Sequence, residues 1–263
     1  MLEKINDKNA PKEIIDALVT LYQQGKHNDV LSRSSNLIKQ YPNTPVLHNI
    51  LGAIYFQKDH KETAVKHFRK VIEIQPGHPY GYNNLGATLI DMSKYQEAKI
   101  NFEKAIELKT DYAEAYNNLG NVLKELKEYN KAIIQYKIAI ELNSNYYEAM
   151  NNLGVTLGKN NQYEDAKTVL RNVLKINPEF AEACYNLGNL YFNRKEYELA
   201  LLEYQSAIKL NPNYYEAYNN LGMVLTELKK YKEAEKILQN TIKLKPNCSE
   251  TYYNLGNLYF KMK

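Results

Sequence analysis

The sequence predicts an all-α fold, an α-solenoid, because one helical pattern recurs along nearly the whole chain. Seven of the 11 glycines each follow a leucine, and consecutive members of this row lie 34 residues apart. A row of alanines and a row of prolines have the same period. Three rows with one period indicate tandem structural repeats. The glycines of the first row are Gly52, Gly86, Gly120, Gly154, Gly188, Gly222 and Gly256.

Each repeat is predicted to contain two helices joined by a short turn. In residues 113–146, the apolar positions are spaced i, i+3, i+4, i+7 in the first half and i, i+4, i+7, i+8 in the second. Both spacings place apolar side chains on one face of a helix. A helix pair of this size cannot bury its own apolar face, so neighbouring repeats must stack. The positions are Tyr116, Leu119, Gly120 and Leu123, then Ala132, Tyr136, Ala139 and Ile140.

The period divides the chain into numbered repeats that form one continuous solenoid domain. A short lead, 1–10, precedes repeat 1 at 11–44, which is degenerate because Leu18 replaces the glycine. The last segment, 249–263, supplies only the first helix of repeat 8. The full repeats between them, numbered 2 to 7, are 45–78, 79–112, 113–146, 147–180, 181–214 and 215–248.

The glycine row has a cost that the fold must offset. Glycine inside a helix is less stable than alanine by roughly 0.5–1 kcal/mol. We expect close approach of the two helices to compensate, with the glycine facing small alanines such as Ala132 and Ala139 of the second helix. A tyrosine begins the second helix in repeats 3 to 7 and is predicted to pack in the core. These tyrosines are Tyr95, Tyr129, Tyr163, Tyr197 and Tyr231.

The offsets of leucine-glycine, tyrosine, alanine and proline within 34 residues resemble those of the tetratricopeptide repeat family. The resemblance covers nearly the whole chain. It implies a right-handed superhelix of helix-turn-helix repeats, with a concave groove lined by the first helices. The glycine that the family usually has in the turn is replaced here by Asp59, Ser93, Lys127, Asn161, Lys195 and Lys229.

Composition and motifs exclude several classes of function. The net charge of +4 is too small to indicate nucleic-acid binding. The mean hydropathy is −0.58, and no apolar run approaches the roughly 18–20 residues needed to cross a bilayer. The sequence has no glycine-rich phosphate loop, no HExxH motif and no paired CxxC. We expect no catalysis by these residues, no cofactor, and neither nucleic acid nor membrane as a partner.

The cysteines and histidines do not form a metal site. Cys184 and Cys248 make no disulfide framework, which favours a reducing, cytoplasmic location. Cys184 takes a position that tyrosine fills in other repeats, so we expect it in the core. His60 and His67 lie two turns apart on one predicted helix, but no third ligand has a suitable spacing. No bound metal is expected.

A row of asparagines is the most informative feature for function. In repeats 3 to 8 the residue before leucine-glycine is always asparagine. Its amide carries a donor and an acceptor side by side, which can match the N–H and C=O of an extended backbone. Apolar residues are rare on this face, so we expect it to face solvent or a ligand. The asparagine ladder is Asn84, Asn118, Asn152, Asn186, Asn220 and Asn254. The candidate groove adds Asn121, Asn189, Asn257, Glu114, Glu148, Glu182 and Glu216.

Each part of this groove has a simpler interpretation. Asparagine is abundant throughout, also beside the ladder at Asn117, Asn151 and Asn219, as compositional drift would produce. The glutamates fall in the first turn of predicted helices, where a carboxylate gains roughly 0.3–1 kcal/mol from the helix dipole. Against drift, the ladder position is unbroken for six repeats while its neighbour varies.

The ladder also resembles the asparagine-lined superhelix of O-linked N-acetylglucosamine transferases and related bacterial proteins. In that family the repeats present protein substrates to a catalytic domain, of which no part is found here. The resemblance therefore implies peptide holding by the six ladder asparagines.

The favoured function is a non-catalytic scaffold that holds an extended peptide or partner protein in its groove. Acidic residues outnumber lysines on the groove face, which favours a neutral or basic peptide. One alternative is the substrate-recruiting arm of a glycosyl-, sulfo- or methyltransferase whose catalytic domain lies beyond residue 263. Another is self-association through the uncovered face of the last helix, which carries Tyr252, Leu255 and Tyr259.

Overall fold

The computed structural model describes residues 9–262, and over this range it contains helices and no strands. Residues 1–8 of the predicted lead, and Lys263 of the last segment, lie outside the described residues. The helices are α1 (Lys12–Gln23), α2 (His27–Gln40), α3 (Pro45–Gln57), α4 (Lys61–Ile74), α5 (Pro79–Asp91), α6 (Tyr95–Leu108), α7 (Ala113–Glu125), α8 (Tyr129–Leu142), α9 (Tyr147–Lys159), α10 (Tyr163–Ile176), α11 (Ala181–Asn193), α12 (Tyr197–Leu210), α13 (Tyr215–Glu227), α14 (Tyr231–Leu244) and α15 (Ser249–Lys261).

The helices pack in pairs within two compact units, Met1–Leu142 and Asn143–Lys263. In the first unit, each odd-numbered helix packs against the even-numbered helix that follows it, and α1, α3 and α5 each also pack against the next odd-numbered helix. The second unit, which begins with α9, has the same arrangement and adds α15 against α13 and α14. The predicted all-α repeat solenoid is therefore confirmed in each unit.

The glycine row is packed differently from the sequence expectation. A Cβ atom on Gly120 would lie 2.6 Å from Cε1 of Tyr136, and the three heavy atoms nearest to it all belong to that ring. The expectation that small alanines, such as Ala132 and Ala139, face the glycine is wrong. The glycine instead leaves room for the ring of Tyr136 on the second helix, which is fully buried there.

The turns within repeats keep the conformation that glycine usually provides. Lys127 has φ +61°, and its amide donates to the carbonyl of Lys124 at 3.0 Å. The amide of Glu128 then reaches back to the carbonyl of Leu123 at 2.8 Å, which closes the end of α7. Replacement of the usual glycine has therefore not changed the turn, although a side chain at positive φ costs roughly 1–2 kcal/mol. The other positive-φ turn residues are Gly25, Asp59, Ser93, Asn161, Lys195 and Lys229.

The last helix leaves apolar surface uncovered. A Cβ atom on Gly256 would have no heavy atom within 4 Å, unlike the Cβ positions of its counterparts in repeats 2 to 7. Leu255 is half-buried against the core, whereas Tyr252 is 51% and Phe260 77% exposed. The hydroxyl of Tyr259 donates to Glu235 at 2.7 Å. Self-association through this face stays a prediction.

Candidate functional site

The six ladder asparagines lie on α5, α7, α9, α11, α13 and α15, the first helices of repeats 3 to 8. Five of them are half-buried, and Asn254 is only 6% exposed. Each ladder asparagine is therefore partly or fully covered by its neighbours, and the expectation that this face meets solvent or a ligand stays a prediction. Within each unit, the side-chain nitrogen of a ladder asparagine donates to the preceding repeat, as in Asn84 to Asn49 at 2.9 Å.

In the first unit, one asparagine amide clamps two side chains of the next repeat. Asn83 is 1% exposed on α5, directly before the ladder asparagine of that helix. Its Oδ1 accepts from Nδ2 of Asn118 at 3.1 Å, and its Nδ2 donates to Oε1 of Glu114 at 2.9 Å. Asn118 and Glu114 lie one turn apart on α7. The paired donor and acceptor of an amide therefore join two repeats here.

The second unit contains the same clamp. Asn151 on α9 is 2% exposed; it accepts from Nδ2 of Asn186 at 2.9 Å and donates to Glu182 at 3.0 Å. The sequence interpretation missed the clamp and treated Asn151 as evidence of drift. The signal was the recurrence of asparagine, 34 residues apart, at the position before the ladder.

The clamp is altered where tyrosine replaces its asparagine. Tyr185 occupies the clamp position of repeat 6, and Asn220 donates to its hydroxyl at 3.2 Å and to Oδ1 of Asn189 at 2.9 Å. In the following pair, Asn254 donates to Asn219 at 3.0 Å, but no bond from Asn219 to Glu250 exists among the described residues. In the first of these pairs, both hydrogens of the Asn220 side-chain amide are therefore used. In the second pair, Glu250 has, within the described range, no asparagine partner equivalent to the partners of Glu114 and Glu182.

A second row of groove asparagines binds tyrosines of the second helices. The hydroxyl of Tyr136 donates to Oδ1 of Asn121 at 2.8 Å, and that of Tyr204 donates to Oδ1 of Asn189 at 2.7 Å. Burial raises the pKa of Tyr204, so its hydroxyl stays protonated and able to donate. Asn257, the remaining candidate of this row, is exposed on α15.

The groove glutamates occupy the first turns of their helices, as predicted. Glu114, Glu148, Glu182 and Glu216 begin α7, α9, α11 and α13. All but the half-buried Glu216 are exposed. Since Glu114 and Glu182 accept from clamp asparagines, those two contribute to packing between repeats.

The ladder of the second unit borders a pocket of about 340 Å³. It lies across four first helices, α9, α11, α13 and α15, and includes the ladder residues Asn186 and Asn220. Its apolar lining includes Leu190 and Met223, and two of the described lining residues are charged, Lys159 and Glu250. Pockets that bind small ligands typically measure about 300–1,000 Å³. This pocket therefore has room for one or a few side chains of a ligand.

The first unit has a pocket of similar size and different chemistry. About 350 Å³ is enclosed around Asn49 and Asn84. Aromatic rings contribute much of its wall, including those of Tyr22 and Phe56, and none of its described lining residues is charged. Both pockets thus adjoin the asparagine ladder, within separate units.

The described residues contain no group of three or more His, Cys, Asp or Glu side chains placed to hold a metal ion. His67 contacts His48 rather than a ligand set: their Nδ1 atoms lie 3.0 Å apart, and His48 Nε2 lies 2.9 Å from the carbonyl of Pro42. Cys184 is buried, as predicted, and burial raises its pKa to about 11. In the part of the chain that the structure covers, no helix is long and apolar enough to span a membrane.

Family models described as TPR repeat or Tetratricopeptide repeat match the sequence from residue 46 to residue 248, apart from residue 79. No curated protein matches it significantly. The matched residues are 46–78, 80–145, 136–168, 159–194, 188–225 and 215–248.

Solved structures share the fold. One chain of the APC/C hetero-tetramer Cut9-Hcn1 is 20% identical, with a TM-score of 0.75 over 92% of this chain and 48% of that one. The present chain therefore spans about half of its length. YrrB, described as a TPR protein with an unusual peptide-binding site, is 25% identical, with a TM-score of 0.55; the match covers 70% of this chain and 95% of the YrrB chain. Pseudomonas aeruginosa PilF is 20% identical, with a TM-score of 0.67; the match covers 81% of this chain and 97% of the PilF chain.

Proposed function

Since the chain belongs to the tetratricopeptide repeat family, whose repeats form protein-interaction scaffolds, we propose that it is a non-catalytic module that holds an extended peptide against its asparagine ladder. The observation that carries this proposal is the pocket shared by Asn186 and Asn220. The likeness to YrrB, itself described as having a peptide-binding site, supports it.

The two ladder residues that line the pocket, Asn186 and Asn220, are proposed to contact a ligand through their carbonyl oxygens. Asn186 donates through Nδ2 to Asn151, and Asn220 donates twice through Nδ2. Among the described residues, neither Oδ1 accepts a hydrogen bond. A ligand therefore meets acceptors at this face, and it must supply N–H groups, which every peptide backbone has. The bidentate pairing suggested by the sequence is replaced by one-sided acceptance.

The remaining features of the proposed function follow from the same residues. The proposed partner is a protein segment rather than a nucleic acid, because the pocket lining has one lysine and four asparagines and offers no basic track for phosphates. The proposed location is the cytoplasm, since Cys184 and Cys248 are both free thiols. We also propose that the seven repeats and the final single helix form one continuous solenoid domain.

A selection from random nonapeptides tests the groove. Peptides that bind the parent protein would be labelled with fluorescein and measured by fluorescence anisotropy against Asn186→Ala. Loss of one or two hydrogen bonds of roughly 0.5–1.5 kcal/mol each predicts about tenfold weaker binding. Asn186→Ala also removes the bond to Asn151, so it must be compared with a variant that loses the same internal bond outside the pocket.

Asn254→Ala is that control, because the proposed contact with the ligand is limited to the two ladder residues that line the pocket, Asn186 and Asn220. Asn254 donates to Asn219 at 3.0 Å, as Asn186 donates to Asn151 at 2.9 Å, but it does not line the pocket. Both variants should lose similar stability in urea unfolding, and only Asn186→Ala should lose affinity. If no nonapeptide is enriched, or if both variants bind equally well, the ladder does not hold peptides and the proposal is wrong.

A further inference from the structure

We propose that the pocket of the second unit selects a peptide segment with an apolar residue at its centre, an acidic residue at one end and a basic residue at the other. This inference rests on the proposed function and adds to it the chemistry of the ligand. It departs from the sequence expectation that a neutral or basic peptide is favoured. It arises from two charged side chains, Lys159 and Glu250, that line the same pocket.

Both charges are available to a ligand. Lys159 ends α9 and Glu250 lies in the first turn of α15, and both side chains are exposed. Neither forms an ion pair or a side-chain hydrogen bond with another described residue. Glu182, in contrast, is occupied by the clamp residue Asn151, and Glu227 is paired with Lys261 at 2.6 Å.

The two charges lie on the two outermost of the first helices that line the pocket, α9 and α15. Four first helices contribute to the lining, and each contacts the next in the order α9, α11, α13, α15. Packed helix axes lie about 8–10 Å apart, so the three spacings from α9 to α11, α11 to α13 and α13 to α15 add up to about 30 Å at most. An extended chain rises about 3.1–3.3 Å per residue, so a segment of roughly nine residues is long enough to reach from one charge to the other.

The middle of the pocket lacks charge and combines two kinds of contact. Leu190 and Met223 supply apolar surface, which suits an aliphatic side chain. The uncommitted oxygens of Asn186 and Asn220 lie on the two central helices, α11 and α13, and can accept from the backbone that flanks that side chain. A segment that is acidic near Lys159, apolar at the centre and basic near Glu250 matches all of these groups.

Four fluorescein-labelled nonapeptides with a central leucine test this pattern by anisotropy in low salt. One has an acidic pair at its amino end and a basic pair at its carboxyl end, the second has the reverse, the third has basic pairs at both ends and the fourth acidic pairs. Exposed ion pairs are worth about threefold in affinity each. At least one mixed-charge peptide should therefore bind several-fold tighter than both single-sign peptides, and added salt should reduce the difference.

Charge reversal in the protein should redirect this preference. Lys159→Glu should favour the all-basic peptide, Glu250→Lys the all-acidic peptide, and the double reversal should restore preference for mixed charge. Matched controls are Lys209→Glu and Glu198→Lys, which make the same charge changes on the exposed surface of α12, outside the pocket.

Equal shifts in the controls would show that only net charge matters, and would overturn the inference. Unchanged preference in the pocket variants would overturn it as well. If Asn186→Ala still weakens peptide binding in either case, the proposed function survives and only the charge pattern fails. If none of the peptides binds and library selection also fails, both proposals are wrong.

Discussion

Gly188 and Gly256 occupy the same position of their repeats but have opposite surroundings, so alanine should have opposite effects at the two sites. A Cβ atom on Gly188 would lie 2.6 Å from Cε1 and 2.7 Å from Cδ1 of Tyr204. Both distances are too short for carbon atoms, which prefer roughly 3.5–4.0 Å. A Cβ atom on Gly256 has nothing within 4 Å.

The magnitudes follow from two opposing effects. In either helix, replacing glycine by alanine gains roughly 0.5–1 kcal/mol of helix propensity. At Gly188 the fully buried ring of Tyr204 must move, and overpacking of this kind costs roughly 1–3 kcal/mol. The bond from Tyr204 to Asn189 is disturbed at the same time, at roughly 0.5–1.5 kcal/mol. Gly188→Ala should thus destabilise by about 1–3 kcal/mol, and Gly256→Ala should stabilise by up to about 1 kcal/mol.

Urea unfolding followed by helical circular dichroism at 25 °C measures both changes. The cause is isolated by combining Gly188→Ala with Tyr204→Ala, because without the ring the new methyl group has room and should stabilise. Equal stabilisation by Gly188→Ala and Gly256→Ala in the parent protein would refute the ring contact. A penalty at Gly188 that persists in the Tyr204→Ala background would refute the assigned cause.

Two further predictions concern stability. Lys195 has φ +62°, so Lys195→Gly should raise the free energy of unfolding by about 0.5–1 kcal/mol. Asn161 has the same φ, but Asn161→Gly should stabilise less, because asparagine tolerates this region better than lysine does. Urea midpoints that show a larger gain for Asn161→Gly would contradict the argument. Burial and the adjacent His48 ring lower the pKa of His67 from 6.5 to about 4. The unfolded chain therefore takes up this proton first, and the stability is complete above pH 6.5 and is lost as the pH falls toward 4. Urea midpoints of the parent should fall more steeply over this range than those of His67→Phe, and parallel slopes would contradict the assignment.

The helix pairs and the ladder could be predicted from sequence because both depend on local spacing. A period of 34 and helical offsets place Asn186 on a first helix and Tyr197 at the start of a second without knowledge of the packing. Contacts between helices could not be predicted in this way. The clamp joins Asn151 to Glu182 and Asn186, which are 31 and 35 residues away, and only the stacking geometry shows that one amide reaches both.

For the proposed peptide ligand, the spacing of the first helices predicts one backbone conformation. Asn186 and Asn220 lie on the adjacent packed helices α11 and α13; packed helix axes are about 8–10 Å apart, and we expect a similar separation of the two asparagine oxygens. In a β-strand, N–H groups on one side recur every two residues, at about 6.7 Å, which does not match. A polyproline II segment repeats every three residues at about 9.3 Å and has no internal hydrogen bonds, so one N–H can meet each asparagine.

N-methylation at each position of a selected nonapeptide tests this register. Two positions, three residues apart, should each lose affinity by about threefold or more, since each N-methyl group removes one neutral hydrogen bond. The other positions should change little. When affinity is measured for the Asn186→Ala protein, N-methylation at one of the two sensitive positions should no longer weaken binding, because the acceptor of that N–H has been removed. Sensitivity at every second position would instead indicate a β-strand ligand, and the spacing argument would be wrong. Fixed amides spaced for a polyproline II chain favour peptides that already adopt that conformation, because such peptides lose less entropy on binding.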